Sequence, residues 1–433
     1  MNFKMNLSPE EQLAYEFAHH WRDKNYSPIL DHVDWMHFAK LLTHNRMGML
    51  ATQILARMNP SIPSDARKLL REQADKYERS ASKLGNALTT YLRLAESHRI
   101  ETIVLKGLWL CEKIYGLAYM RPGGDIDILV HRKDVDACLK LLEEQGIGEF
   151  WPNLLKDEYF TRHHLHQQRS TPDLNIWFEI HWALDHPYTL LTVDYESIFA
   201  RAKPAQLLGA PIQEMSNSDL LLGLAIHLVK HAVYLPSLLD REDLPRIILA
   251  DGMLMYYLDV KEVLKQNQDI EWDSTIQLAH DWGAVDILGS VLRVCKKYFD
   301  APVPDRVLSQ LPISRHGRMT RTLMSRAAEE KLIAYEGRQG SRFWRLLFAS
   351  NGAFILRPIR MLETISYFFP PSDFLQRRYG KANLIRRIRH LLTALFQTLR
   401  FGWDTFYFGM ERYFRLKRLG ESASLSNRLE THL

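Results

Sequence analysis

Cysteine is scarce: three occur in 433 residues. Cys111, Cys138 and Cys295 form no CxxC pair and no metal-ligand spacing, which argues against a disulfide scaffold and a cysteine-based zinc module. So sparse and odd a set reads as reduced thiols and predicts a cytoplasmic protein. Long apolar runs are also missing. No stretch of about 18 uncharged apolar residues occurs, so no membrane span is predicted. The opening MNFKMNLSPEEQ lacks the apolar segment of a secretory leader. No internal repeat and no low-complexity segment is present. A strong net charge is absent too, since +5 is too small to make nucleic-acid binding a property of the whole chain.

What remains is an ordinary globular composition, 46% hydrophobic and 25% charged. Its length calls for two or three packing units. Residues 8 to 95 read as helices, opened by the start signal Ser8-Pro9-Glu10-Glu11 and broken by Asn59-Pro60-Ser61-Ile62-Pro63. The period then changes. Glu101 to Leu105 is a short β-branched strand. A helical pattern follows Lys106-Gly107 through Tyr115, and Ile126 to Val130 is a second strand. Asp134 to Gln145 is an amphipathic helix, and Asn175 to Trp182 is a third strand. Helical patterning resumes at Ser218 and runs to about Phe299, ahead of a proline-rich linker from Pro302 to Pro312. The predicted fold is α+β, with a small strand–helix core flanked by helical regions. The predicted units are an N-terminal helical region (1–95), the core (96–215), a helical domain (216–312) and a basic, aromatic, helical C-terminal region (313–433).

Three elements carry chemistry. Asp125 and Asp127 stand two apart where a turn enters a strand, so both carboxylates project from one face while Ile126 and Ile128 point into the core. Two like charges so close are tolerable when a cation lies between them. Mg²⁺ (or Mn²⁺) suits such a site, because a hard ion takes carboxylate and phosphate oxygens. Asp-x-Asp is also a common surface tripeptide, and here the apolar flanks favour the edge of a buried strand. Lys106-Gly107 runs from a strand into a helix start, where backbone N–H groups and the lysine can hold phosphates. The plain alternative is a simple strand-to-helix turn. Glu179 sits within the aromatic strand Trp177-Phe178-Glu179-Ile180-His181-Trp182. If that strand lies beside the Asp125–Asp127 strand, Glu179 completes a three-carboxylate cluster, as metal ligand or as general base for an acceptor hydroxyl. The alternative is an edge-strand glutamate facing water.

The order Val-Leu-Lys-Gly, Tyr115, Arg121, Asp-Ile-Asp-Ile-Leu-Val and Glu-Ile-His-Trp resembles the uncharacterised nucleotidyltransferase family of the DNA polymerase beta-like superfamily. The likeness covers roughly residues 85 to 300, including Leu220 to His231 with His227, and Tyr257-Leu258-Asp259. It implies a small mixed sheet with helices packed on it. It also implies Asp125, Asp127 and Glu179 as the metal and catalytic acids, and the Lys106-Gly107 turn with Arg121 as the nucleotide-binding elements. Gly123-Gly124 and an apparent insertion from Tyr234 to Gly252 depart from the family pattern. The implied reaction moves a nucleoside monophosphate from a nucleoside triphosphate to an acceptor hydroxyl, with release of pyrophosphate. The acceptor is a small molecule, a protein or an RNA.

Other clusters have blander readings. His227 and His231 share a helix face and suit a structural or substrate-contact role better than a zinc site. His181 shares the face of Glu179 and is a further candidate for substrate contact. His163, His164 and His166 read as a solvated loop. The segment from Ser341 to Gly420 carries an excess of 11 positive charges, interleaved with aromatics such as Trp403, Phe406 and Tyr407. It reads as a packed terminal domain with a basic face, as a peripheral contact at the inner membrane surface, or as a nucleic-acid contact. Two rival functions stay open: an inactive nucleotidyltransferase-fold module docked on membrane or on a biosynthetic complex, and a toxin-like transferase directed at tRNA.

Overall fold

A computed structural model describes residues 7–58, 60–117, 119–148, 157–232, 235–267, 269–313, 318–340 and 366–419. The chain opens with α1 (Pro9–His20), α2 (Trp35–His44), α3 (Gly48–Met58) and the long α4 (Ser64–Ser97). The start signal is a full capping box. Ser8 Oγ accepts from the Glu11 amide, and the Glu11 carboxylate accepts from the Ser8 amide. Helix α3 ends at Met58 and α4 begins at Ser64, so the proline pair separates them as predicted.

Among the described residues the sheet has six strands: β1 (Thr102–Val104), β2 (Ile126–Val130), β3 (His166–Ser170), β4 (Trp177–His181), β5 (Lys203–Leu207) and β6 (Ala210–Glu214). Their spatial order is β3-β4-β2-β1-β6-β5. The sheet is mixed. β2 runs parallel to β4 and antiparallel to β1, and β1 runs parallel to β6. With its flanking helices this is an α+β fold. One face of β2 and β4, formed by Ile126, Ile128, Phe178 and Ile180, is apolar and almost fully buried. Tyr91 of α4 packs on Phe178, and its hydroxyl meets Cys138 of α6 (Val135–Glu144) at 3.1 Å. The opposite face carries the acids.

Three strands escape the sequence pattern. β3 reads His-Gln-Gln-Arg-Ser, with no apolar alternation, and lies at the sheet edge. β5 contains Pro204 and forms the other edge, where a missing N–H does no harm. Leu208 and Gly209 both take positive φ to close the β5–β6 hairpin, without the usual Asn-Gly signal. The predicted solvated histidine loop is therefore corrected. His166 lies on β3, and His163 ends α7 (Asp157–His163), buried.

The predicted helix after Gly107 is also shorter in its α part than expected. It is one turn, α5 (Leu108–Leu110), followed by a π-turn over Cys111–Tyr115. Beyond α8 (Tyr195–Arg201) come α9 (Asn217–His231), α10 (Leu235–Leu238), α11 (Leu244–Ala250), α12 (Leu254–Gln266), α13 (Trp272–Trp282) and α14 (Val285–Phe299). The proline-rich stretch is no free linker. It holds α15 (Asp305–Gln310), with Val307 and Leu311 fully buried. One hydrophobic core extends from Leu13 to Leu332, reaching into α16 (Arg318–Tyr335). Then α17 (Ser372–Tyr379) and α18 (Leu384–Leu419) form a small separate core around Tyr367, Phe374, Leu375 and Ala394. Of the basic C-terminal segment, residues 341–365 and 420 lie outside the described residues.

Candidate active site

Parallel pairing of β2 with β4 fixes the register Asp127↔Glu179, so the two acids are direct neighbours on one face. Asp125 lies just ahead of β2. Donor atoms of Asp125, Asp127 and Glu179 all fall within 4.8 Å of one another. The conditional expectation for Glu179 is met: its strand lies beside the Asp-x-Asp strand. Gln168 on β3 pairs with Glu179 and donates to its carboxylate at 2.8 Å. His181 Nε2 stands 3.1 Å from Asp127 Oδ1 and 3.3 Å from Glu179 Oε2.

Lys106 reaches the cluster from the end of β1. The Leu105 amide donates to the Asp127 carbonyl at 3.1 Å, which sets the end of β1 against the acidic pair. Lys106 Nζ then lies 3.0 Å from Asp127 Oδ2 and 4.0 Å from Asp125 Oδ2. Gly107 follows at φ 56° and ψ −113°, a conformation that side-chain-bearing residues avoid. The single α-turn behind it carries only a small fraction of a helix dipole, so phosphate holding at this turn rests on lysine charge and backbone N–H groups.

The electrostatics are lopsided. Burial raises the Asp125 pKa, and the Asp127 charge raises it further. Burial would raise Asp127 as well, but Lys106 and His181 hold it below its ordinary value. Glu179 is likewise held far below the carboxylate range, against burial, by His181 and then Lys106. His181 is pushed up by the two carboxylates in spite of burial. Three acids thus face one lysine and one histidine. Among the described residues Asp127 Oδ2, which is buried, accepts no hydrogen bond and has only the Lys106 ion contact. An all-oxygen donor set with an unbonded buried oxygen fits a hard divalent ion.

These groups line one wall of a cavity of about 490 Å³. The other wall is α9, which contributes Gly223, His227, Lys230 and His231 at helical spacing. Burial and nearby Lys106 push the His227 pKa far down, so its ring is neutral, and its buried Nε2 has no hydrogen-bond partner among the described residues. His231 is pushed to about 4 by burial and by Lys230. Lys230 itself is lowered by burial. Sequence reasoning passed over Lys230. Its signal was position: it falls three residues after His227, on the same face.

Arg121 does not line this cavity. Its guanidinium donates to Asp259 Oδ2 of α12 at 2.6 Å, and Tyr115 donates to Asp259 Oδ1 at 2.8 Å. Three of the residues that carry the family likeness, Tyr115, Arg121 and Asp259, therefore meet in one buried cluster beside the site.

A mixed sheet that sets an Asp-x-Asp pair and a neighbouring-strand glutamate opposite a lysine turn defines an enzyme of the nucleotidyltransferase class. The chain belongs to the uncharacterised nucleotidyltransferase family, whose profile matches residues 31–300. The match begins well ahead of residue 85, so it takes in α2, α3 and all of α4, the helix packed on the apolar face of the sheet. Comparison with curated proteins and with solved structures gives no match.

Proposed function

We propose that the protein transfers a nucleoside monophosphate from a nucleoside triphosphate to an acceptor hydroxyl, using Mg²⁺ or Mn²⁺. The supporting observation is the trio Asp125, Asp127 and Glu179, gathered within 4.8 Å in a cavity that two lysines also face. The new bond joins the acceptor oxygen to the α-phosphorus, the α–β phosphoanhydride bond breaks, and pyrophosphate leaves. Asp125, Asp127 and Glu179 would hold the divalent ion. When bound, that ion supplies charge neutralisation on the phosphates and acidity at the attacking hydroxyl. Lys106 and the Gly107 turn hold the triphosphate, and Lys230 and His227 meet it from α9. Glu179, held far below the carboxylate range, is a weak base and serves better as an oxygen donor. The acceptor's proton then leaves to water. Arg121 acts as a positioning residue, locking the turn before Asp125 onto α12. The 96–215 core and the 216–312 helical domain work as one catalytic unit, in the cytoplasm where triphosphates and Mg²⁺ abound. The acceptor is a small molecule, a protein or an RNA. The test is incubation with Mg²⁺ and labelled triphosphates against acceptor pools. Wild type should label an acceptor and D125A/D127A should not. Equal labelling by the two proteins overturns the assignment.

A second reading concerns place rather than chemistry. Helix α18 spans 36 residues, about 54 Å. It leaves Ile385, Ile388, Leu392, Phe396, Leu399, Trp403 and Phe406 exposed along one side. Arg389 and Arg400 flank that side, by helical spacing. The sole acid between Leu384 and Met410, Asp404, turns inward to His163 at 2.8 Å. We propose that this face rests on an anionic membrane surface. Among the described residues no helix is long and apolar enough to cross a membrane. Flotation with phosphatidylserine vesicles should carry the protein, less so in high salt, and L399E/W403E should stay behind. Equal flotation of the variant overturns this docking mode.

A further inference from the structure

Beside the three carboxylates lies a second donor group of different chemistry. His166, Glu179 and His181 also place ligand atoms within 4.8 Å of one another. The two edges that meet at Glu179 Oε2 measure 3.5 Å, to His166 Nδ1, and 3.3 Å, to His181 Nε2. Zinc–nitrogen and zinc–oxygen bonds of 2.0–2.2 Å at tetrahedral angles separate neighbouring ligands by about 3.3–3.6 Å. Both of these edges fall in that range. Asp127 Oδ1, 3.1 Å from His181 Nε2, stands next to it.

A packed core histidine ordinarily satisfies both ring nitrogens. His166 does not: among the described residues its buried Nδ1 has no hydrogen-bond partner. The Nδ1 of its neighbour His164 has none among them either, and the two rings lie 4.5 Å apart. Strand β3 brings His166 in by register, opposite His181, and both rings line the wall of the same cavity.

We infer that His166, His181 and Glu179 form a second cation site, for a transition-metal ion of the zinc type. It is distinct in preference from the carboxylate site it adjoins. Imidazole donors favour Zn²⁺ or Co²⁺ over Mg²⁺, whereas an all-oxygen set favours Mg²⁺. Glu179 is the shared edge of the two sites. On binding, the ion replaces a proton on His181 Nε2, which passes to water. The site stands whether or not the transfer reaction is as proposed, because its readout is the metal and not the product.

Titration of the full chain with Zn²⁺, in millimolar Mg²⁺, tests it. One equivalent should bind. H166Q should weaken binding by about tenfold to a hundredfold, while D125N should stay close to wild type. Zinc-edge absorption on the wild type gives a second readout that needs no variant, and should show imidazole nitrogen in the shell. Three results overturn the site: H166Q binding as wild type does, D125N losing as much affinity as H166Q, or an all-oxygen zinc shell.

Discussion

Arg121 and Asp127 are six residues apart, yet their side chains enter opposite kinds of buried environment. Around Arg121 the charges close. Asp259 takes both the guanidinium and the Tyr115 hydroxyl, and each member of the ion pair is at most 4% exposed. Around Asp127 they do not close. Three carboxylates share Lys106 and His181, and one buried oxygen lacks a hydrogen bond. A balanced cluster contributes shape. An unbalanced one leaves net negative charge, which suits a cation that arrives later.

This contrast can be broken by substitution, and the largest effect belongs to the balanced cluster. R121A leaves Asp259 buried and alone, and should cost about 3–5 kcal/mol of stability in denaturant unfolding. The double change R121M/D259L should recover most of that loss. If R121A is as stable as wild type, the cluster is not the lock described here. Next comes Lys106. K106M removes the internal counter-charge, so the folded state should lose stability in EDTA. Saturating Mg²⁺ should return about 2–3 kcal/mol, as expected at roughly a hundredfold excess over the dissociation constant. A melting temperature of K106M that ignores Mg²⁺ would tell against a cation site. On the α9 wall, K230M should raise the triphosphate KM about tenfold to a hundredfold with stability nearly unchanged. An unaltered KM removes Lys230 from the site.

The smallest effect concerns a half-buried group outside both clusters. His19 binds the Tyr298 carbonyl at 2.7 Å, and burial, then Lys261, moves its pKa from 6.5 to about 4. The folded protein thus holds fewer protons than the unfolded chain between those values. Its contribution is full above pH 6.5, declines as pH falls towards 4, and is constant below. H19Q should flatten that part of the stability profile, measured by urea midpoint against pH. An identical slope in the variant would show that other groups set it.

Much of the site was legible because its signals are local. Acids inside β-branched, apolar segments are costly, so Asp127 and Glu179 stood out, and a two-residue strand period placed Asp125 with Asp127. Gly107 was legible as a turn, and its positive φ explains why. The rest depends on contacts distant in sequence. Arg121 finds Asp259 across 138 residues, a pairing that no local pattern announces. Lys230 looks like any helix-end lysine until α9 faces the sheet. His166 sits on an edge strand with no apolar alternation, placed by its pairing with β4. The π-turn over Cys111–Tyr115 replaces most of a predicted α-helix, and no residue type announces it.

The central claim is that Asp125 and Asp127 are kept for chemistry and not for folding. The direct measurement is triphosphate-dependent labelling of an acceptor by wild type and by D125A/D127A, with thermal melting of both in EDTA. The account predicts a loss of labelling of about a hundredfold to a thousandfold, with a melting temperature that falls far less than that of R121A. Retained labelling, or a variant that unfolds as R121A does, would contradict it.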